Sequence, residues 1–281
     1  MTHDSSSLDA LRREIDRIDD RIHDLIMERA ALVAGIAAAK PTAGVALRPA
    51  REAQIIRRLA SRHGGPFPLR ALVRIWREMM GALVGLQRPF SAAVYQPARG
   101  AGYIELARNH FGVSWPMSIL PSPGQVVRQV ADGLVPVGIV PLPVESDPDP
   151  EPWWLSLTSE AENLPRVVTR LPAVVSDPAH DLQALVIACR PHDPTGDDRT
   201  LVAVETVPDV SRDRLRALLV GAGIEPTAMV ATHRGEAAWL HLVEVQGYLD
   251  RGDARLEALV GSRDPVRHTS VIGGYAAQIG A

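Results

Sequence analysis

At 281 residues the chain is long enough for two or three domains of ordinary size, so no single core need account for all of it. Hydrophobic residues make up 46% and charged residues 22%, the balance of a globular protein and not of a disordered or fibrous one. A formal net charge of -3 gives no overall pull toward nucleic acid or an anionic membrane, so neither is expected as a partner. The polar start of the chain has no basic segment followed by an apolar one. No later apolar run suits a membrane span, which makes the cytoplasm the expected location. The single cysteine, Cys189, excludes an internal disulfide and any multi-thiolate metal site. Beside Val186, Ile187 and Ala188 it reads as a packed residue in a buried strand.

In chain order, Leu8, Leu11, Ile15, Ile18, Ile22, Leu25, Leu32 and Ile36 recur at alternating steps of three and four. That spacing predicts one long helix over 8–40, with a seam that needs a second long helix to cover it. A partner chain is the expected cover. Pro49 can occupy the first turn of a short, charged helix that stops at His63-Gly64-Gly65-Pro66. A third helix over 68–87 is apolar around much of its circumference, through Leu72, Ile75, Trp76, Met79, Met80, Leu83 and Leu86.

After Arg88-Pro89 the pattern changes to short strands at 92–95, 117–120 and 135–140, with helices at 103–111 and 125–131 between them. A Pro- and acid-rich stretch over 144–152 reads as a surface loop. Strands follow at 167–175 and 185–189. The last eighty residues alternate as strand 200–206, helix 211–221, strands 227–232 and 239–245, helix 251–261 and strand 268–272. That is the order of a ferredoxin-like unit. The expected architecture is therefore multidomain: an all-α three-helix domain at 8–90, an α/β region at 91–197 and an α+β ferredoxin-like domain at 198–277.

One position breaks the first helix's seam. Arg29 stands where the spacing calls for a hydrophobe, and a charge there either snorkels to solvent or marks an anion site inside a bundle. Lys40 lies eleven residues on, within roughly 20° of the same direction and about 16 Å along the axis, so the two could grip one small anion from both ends. Arg12 is about 25 Å from Arg29 on the same helix and could join only from an antiparallel partner. Arg51-Glu52 in the second helix and Gln87 at the end of the third mean little alone and read first as solvated surface.

Together these residues resemble the all-helical class of chorismate mutases, including the domain that begins the bifunctional chorismate mutase-prephenate dehydratases. The resemblance covers 8–88 and rests on Leu11-Arg12-Arg13-Glu14-Ile15-Asp16, Asp19, Glu28-Arg29, Lys40, Arg51-Glu52 with Ile55, Ile56 and Leu59, and Gln87. It implies an intertwined helical homodimer that converts chorismate to prephenate for phenylalanine and tyrosine biosynthesis, without a cofactor. By the same resemblance Arg29, Arg51 and Arg12 of the other subunit bind the substrate carboxylates or shape the charged pocket. Lys40 and Gln87 address the ether oxygen, and Glu52 receives the ring hydroxyl. The chain departs from the family at Arg48, where an acidic residue is common, and at Leu83, where a serine is common.

Beyond Phe90 the chain is similar to the rest of the bifunctional enzymes, shortened and altered. Leu182-Gln183-Ala184 stands where the dehydratase has a Thr-Arg-Phe motif carrying its catalytic threonine, so no dehydratase activity is expected. Residues 194–200 resemble the approach to its regulatory ACT domain. Gly247-Tyr248-Leu249-Asp250 and Val271-Ile272-Gly273-Gly274-Tyr275 match family turns. Ala231-Thr232-His233-Arg234 replaces the effector motif Glu-Ser-Arg-Pro, so an aromatic amino-acid effector is not inherited by default and a dimerising or stabilising module is the first reading. The rival to the enzyme is a non-catalytic regulator or scaffold of the aromatic pathway that uses the ACT-like tail.

Overall fold

The computed structural model describes residues 3–39, 47–87, 90–99, 102–144, 152–159, 161, 164–175, 181–261 and 265–280. Lys40 and most of the loop expected over 144–152 lie outside them. The chain divides into two compact units, Met1–Ala46 with Leu83–Pro89, and Leu47–Ala82 with Phe90–Ala281.

The first unit is dominated by α1, His3–Ala39, a helix of 37 residues and so about 55 Å long. Its apolar seam lies open: Leu11, Ile15, Leu25, Leu32 and Ile36 are each more than half exposed. The last residues of α3, Leu69–Gln87, complete this unit. Along α3 the buried positions are Val73, Arg77, Met80, Leu83 and Val84, whereas Ile75 and Leu86, expected in the bundle interior, are exposed.

In the second unit α2, Pro49–Ser61, begins with proline in its first turn, where a missing N–H costs nothing. Arg57 fastens it by donating to Thr195 Oγ1 at 2.7 Å, to the Ala277 carbonyl at 3.2 Å and to the Asp197 carbonyl. Ile56, Val73, Met80 and Val174 form a small core between α2, α3 and the α/β part.

The α/β part holds strands β1 Ala92–Tyr95, β2 Met117–Leu120, β3 Val137–Pro141, β4 Arg166–Leu171, β5 Val174–Val175 and β6 Ala184–Ala188. The remaining strands are β7 Asp198–Thr206, β8 Pro226–Arg234, β9 Trp239–Gln246, β10 Val266–Ala276 and β11 Ile279–Gly280. Helices α4 Tyr103–Phe111, α5 Pro123–Ala131, α6 Arg212–Gly221 and α7 Ala254–Gly261 connect them, with a 3-10 turn at Trp153–Leu157. Nine strands make one sheet in the order β2-β1-β3-β6-β4-β10-β7-β9-β8, and β5 pairs separately with β11.

Local sequence explains these elements. Ser122 caps α5 by accepting from the Gln125 N–H at 3.3 Å, and Ser211 caps α6 by accepting from Arg214 N–H at 3.2 Å. α5 lays Val126 and Val130 on β3, where Gly138 leaves them room: a Cβ there would stand 2.6 Å from Val126 Cγ1. β6 is buried on both faces and reads as a continuous apolar run.

The last four long strands with α6 and α7 follow the order strand-helix-strand-strand-helix-strand, in sheet order β10-β7-β9-β8 with every adjacent pair antiparallel. Leu215 and Leu219 of α6 and Leu256 and Leu259 of α7 bury against Val202, Val204, Val243 and Val245. β4 meets β10 in parallel where Gly273 faces Val167. At φ +132° Gly273 adopts a conformation closed to L side chains, and a Cβ would collide with the Val167 backbone. Val271-Ile272-Gly273-Gly274-Tyr275 is thus part of a strand and not a turn.

Two further expectations change. The strand expected over 167–175 is two, because Pro172 has no N–H to give a ladder and ends β4. Cys189 follows β6 and is exposed, not a packed strand residue. Its thiol donates to the Val130 carbonyl at 3.3 Å, and partial burial pushes its pKa up.

Candidate functional site

Of the expected site residues, Arg12, Arg29, Arg51, Glu52 and Gln87 fall on three helices, and Lys40 lies outside the described residues. In the first unit α1 carries Arg12 and Arg29, and α3 ends with Gln87. Arg12 is exposed and donates to Asp9 at 3.1 Å, an i,i+3 surface pair of small energetic weight. Arg29 is half-buried, and its Nη1 is sealed from solvent with no hydrogen-bond partner among the described residues. Desolvation pulls its pKa down. Gln87 donates from Nε2 to the Leu83 carbonyl one turn back at 3.3 Å. Arg12 and Arg29 stand about 25 Å apart along one helix, so α1 alone does not bring them together.

In the second unit Arg51 and Glu52 occupy the first turn of α2 and point differently: Arg51 is exposed, Glu52 turns inward. Glu52 Oε2 accepts from Arg77 Nη1 at 2.7 Å, with the side chains 13% and 5% exposed. A buried charge of this kind is tolerated only when paired. His110 of α4 lies 3.4 Å from the same Arg77 Nη1, and desolvation together with the Arg77 charge holds its pKa well below the ordinary value. The ring is therefore neutral, able to accept at Nε2. Arg48 precedes α2, exposed and making no side-chain cap, while Leu83 is buried.

Arg77 is the residue the sequence reading missed. It interrupts the buried stripe Val73, Arg77, Met80, Val84 at steps of four, three and four, the same signature that singles out Arg29 on α1. A cavity of about 450 Å³ lies between α3, α4 and the segment around Pro172–Val174, and Arg77 and Leu182 both line it. Among the described residues no helix is long and apolar enough to cross a membrane.

Residues 11–88 match the family model described as chorismate mutase type II. Over this segment the chain is similar to chorismate mutases of that type. The chain is 33% identical over 148 residues to the bifunctional chorismate mutase/prephenate dehydratase of Pseudomonas aeruginosa, covering 50% of this chain and 40% of that protein. It is 32% identical over 140 residues to the bifunctional enzyme of Aquifex aeolicus, covering 48% and 38%. The matches thus span about two fifths of the length of these curated relatives.

Among solved structures, the chain resembles one titled GqqA, a novel type of quorum quenching acylases, with a TM-score of 0.49 and 17% identity over 66% of this chain and 95% of that one. It also resembles the prephenate dehydratase from Streptococcus mutans, with a TM-score of 0.46 and 13% identity over 67% and 99%.

Proposed function

We propose that the protein is a chorismate mutase that rearranges chorismate to prephenate as a homodimer, with no dehydratase activity. The observation that carries this reading is Arg29, a cation on an otherwise apolar seam whose Nη1 is shut off from water with no hydrogen-bond partner among the described residues. An unsatisfied charged donor is costly, and a substrate carboxylate would satisfy it.

The reaction is unimolecular: a carbon-oxygen bond breaks as a carbon-carbon bond forms, and negative charge builds on the ether oxygen. It needs no nucleophile. What accelerates it is a bound chair-like conformer and donors already aimed at that oxygen. Arg29 and Arg51, with Arg12 from the partner subunit, hold the carboxylates. Lys40 and Gln87 donate to the ether oxygen. Glu52 gives Oε2 to Arg77, so Oε1 is the oxygen left to accept the ring hydroxyl.

The dimer is supported by the open α1 seam, which a second α1 would cover. The absence of dehydratase activity is supported by Leu182, an apolar side chain on the cavity wall at the position of the family's threonine. We read β7 to β10 with α6 and α7 as a ferredoxin-like, ACT-like module. Ala231–Arg234 on β8 lacks the effector motif, which favours a stabilising or dimerising role over amino-acid sensing.

Replacing Lys40 with Ala tests the electrostatic mechanism. Loss of a donor to the developing charge should lower turnover on the order of a hundredfold or more. Near-normal chorismate turnover in Lys40→Ala would remove Lys40 from the mechanism.

A further inference from the structure

Arg77 is not among the residues that meet chorismate in the mutase reading, yet it is a fixed point of the second unit. It stands in the buried stripe of α3, and Glu52 is the one carboxylate paired with it among the described residues. A glutamate in the first turn of a helix has several rotamers open to it, and water competes for its oxygens. Arg51, one residue back, takes that course and is exposed. Glu52 instead turns inward, and its Oε2 accepts from Arg77 Nη1 at 2.7 Å. Among the described residues the Glu52 carboxylate bonds through this oxygen alone.

The arginine is itself braced from a third element. His110 of α4 is buried, set edge-on to Phe111 with ring centroids 4.7 Å apart, and its Nε2 lies 3.4 Å from Arg77 Nη1. A neutral ring at that place offers the guanidinium a lone pair and adds no repulsion. Phe111 stacks on Trp115, whose Nε1 donates to the Gly81 carbonyl at 3.0 Å, so this end of α4 is tied back to α3 one turn beyond Arg77. Arg77 Nε is sealed from solvent, which leaves Arg77 to act through its partner and not on a bound molecule.

We infer that Arg77 is a positioning residue for the mutase reaction: it holds Glu52 in the rotamer from which Oε1 meets the ring hydroxyl, with His110 of the α/β region as its brace. This role rests on the mutase reading above. Fixing the side chain before substrate arrives matters, because a misplacement of about 1 Å can cost about a hundredfold in rate. It also gives the α/β region a part in the mutase that needs no dehydratase chemistry.

Turnover of chorismate by the full chain tests this in a double-mutant cycle, with folding checked by far-ultraviolet circular dichroism. Arg77→Gln should lower kcat/KM by about tenfold or more. Arg77→Lys, which keeps a charged donor, should lose less. In a Glu52→Ala background Arg77→Gln should bring no further loss, because the residue through which it acts is gone. A packing role alone would cost activity in both backgrounds. Should Arg77→Gln not fold, His110→Phe enters the same cycle, with about a threefold loss expected when Glu52 is present and none when it is absent. Wild-type activity that Arg77→Gln leaves intact, an equal loss in Arg77→Lys, or a further loss in the Glu52→Ala background would each overturn this role and leave the mutase reading standing. A wild-type chain that does not turn over chorismate would overturn both.

Discussion

His241 shows how burial fixes a protonation state in this protein. It is 2% exposed between two hydroxyls, with Thr206 Oγ1 3.2 Å from Nε2 and Thr232 Oγ1 3.2 Å from Nδ1. Thr206 spends its one hydroxyl proton on the Val207 carbonyl, so it must accept from Nε2–H, and Thr232 donates to the bare Nδ1. Desolvation, then the Arg212 and Arg234 charges, lower the pKa from 6.5 to about 4. The unfolded chain takes up a proton that the folded chain refuses, so this contribution is whole above about pH 6.5 and is lost as the pH falls toward about 4. His110, also depressed, acts in the same direction. The thermal midpoint should therefore fall between about pH 7 and about pH 5, and His241→Gln should flatten part of that slope. A midpoint level across this interval would contradict the assignment. Residues like Arg29 are legible in the sequence because a single charge breaks a clean three-four seam. Arg77 breaks an equally regular stripe, but Leu72, Ile75, Trp76 and Met79 put apolar residues on the neighbouring faces of α3 and hide which face is buried. Lys40 was legible only by spacing and resemblance and lies outside the described residues.

Elements set by local chemistry were legible for the same local reason. Proline at the start of α2, serine caps on α5 and α6, and the seam of α1 all act within a turn or two of the residues that encode them. The break at Pro172 was also encoded locally, but the valines on either side masked it. The open face of α1 makes a direct prediction. Ile15→Asp with Ile22→Asp should turn a two-chain species into a one-chain species in light scattering after gel filtration, because a buried unpaired carboxylate is costly in a helical seam. An unchanged mass would place the dimer contact elsewhere. Gly81 makes a second. A Cβ on this α3 residue would collide with the Phe111 carbonyl, and Trp115 Nε1 donates to the Gly81 carbonyl at 3.0 Å beside it. Gly81→Ala should gain helix propensity yet lose about 1–3 kcal/mol to overpacking, read as a lower urea midpoint. A more stable variant would show that α3 can yield there.

At the scale of the whole molecule, the boundary expected between 197 and 198 falls inside one nine-stranded sheet, because β4 pairs with β10 across a hundred residues of sequence. No local pattern announces that pairing; it depends on Gly273 letting two backbones touch. A buried network crosses the same junction: Arg170 of β4 donates to Glu244 Oε2 of β9 at 2.7 Å, and Thr227 of β8 donates to Glu244 Oε1 at 2.6 Å. Tyr275 of β10 donates to Glu244 as well. The Glu244 cluster thus joins the α/β region and the tail through polar groups that satisfy one another. On the helical side, Arg29 Nη1 is buried with no partner among the described residues. The proposed chemistry lies on the helices, and the ultraviolet absorbance of chorismate incubated with the purified full chain tests it most directly. The account predicts loss of chorismate well above the uncatalysed rate, with prephenate accumulating and no phenylpyruvate formed. Chorismate that disappears no faster than in buffer would contradict the account and leave the regulator or scaffold reading in its place.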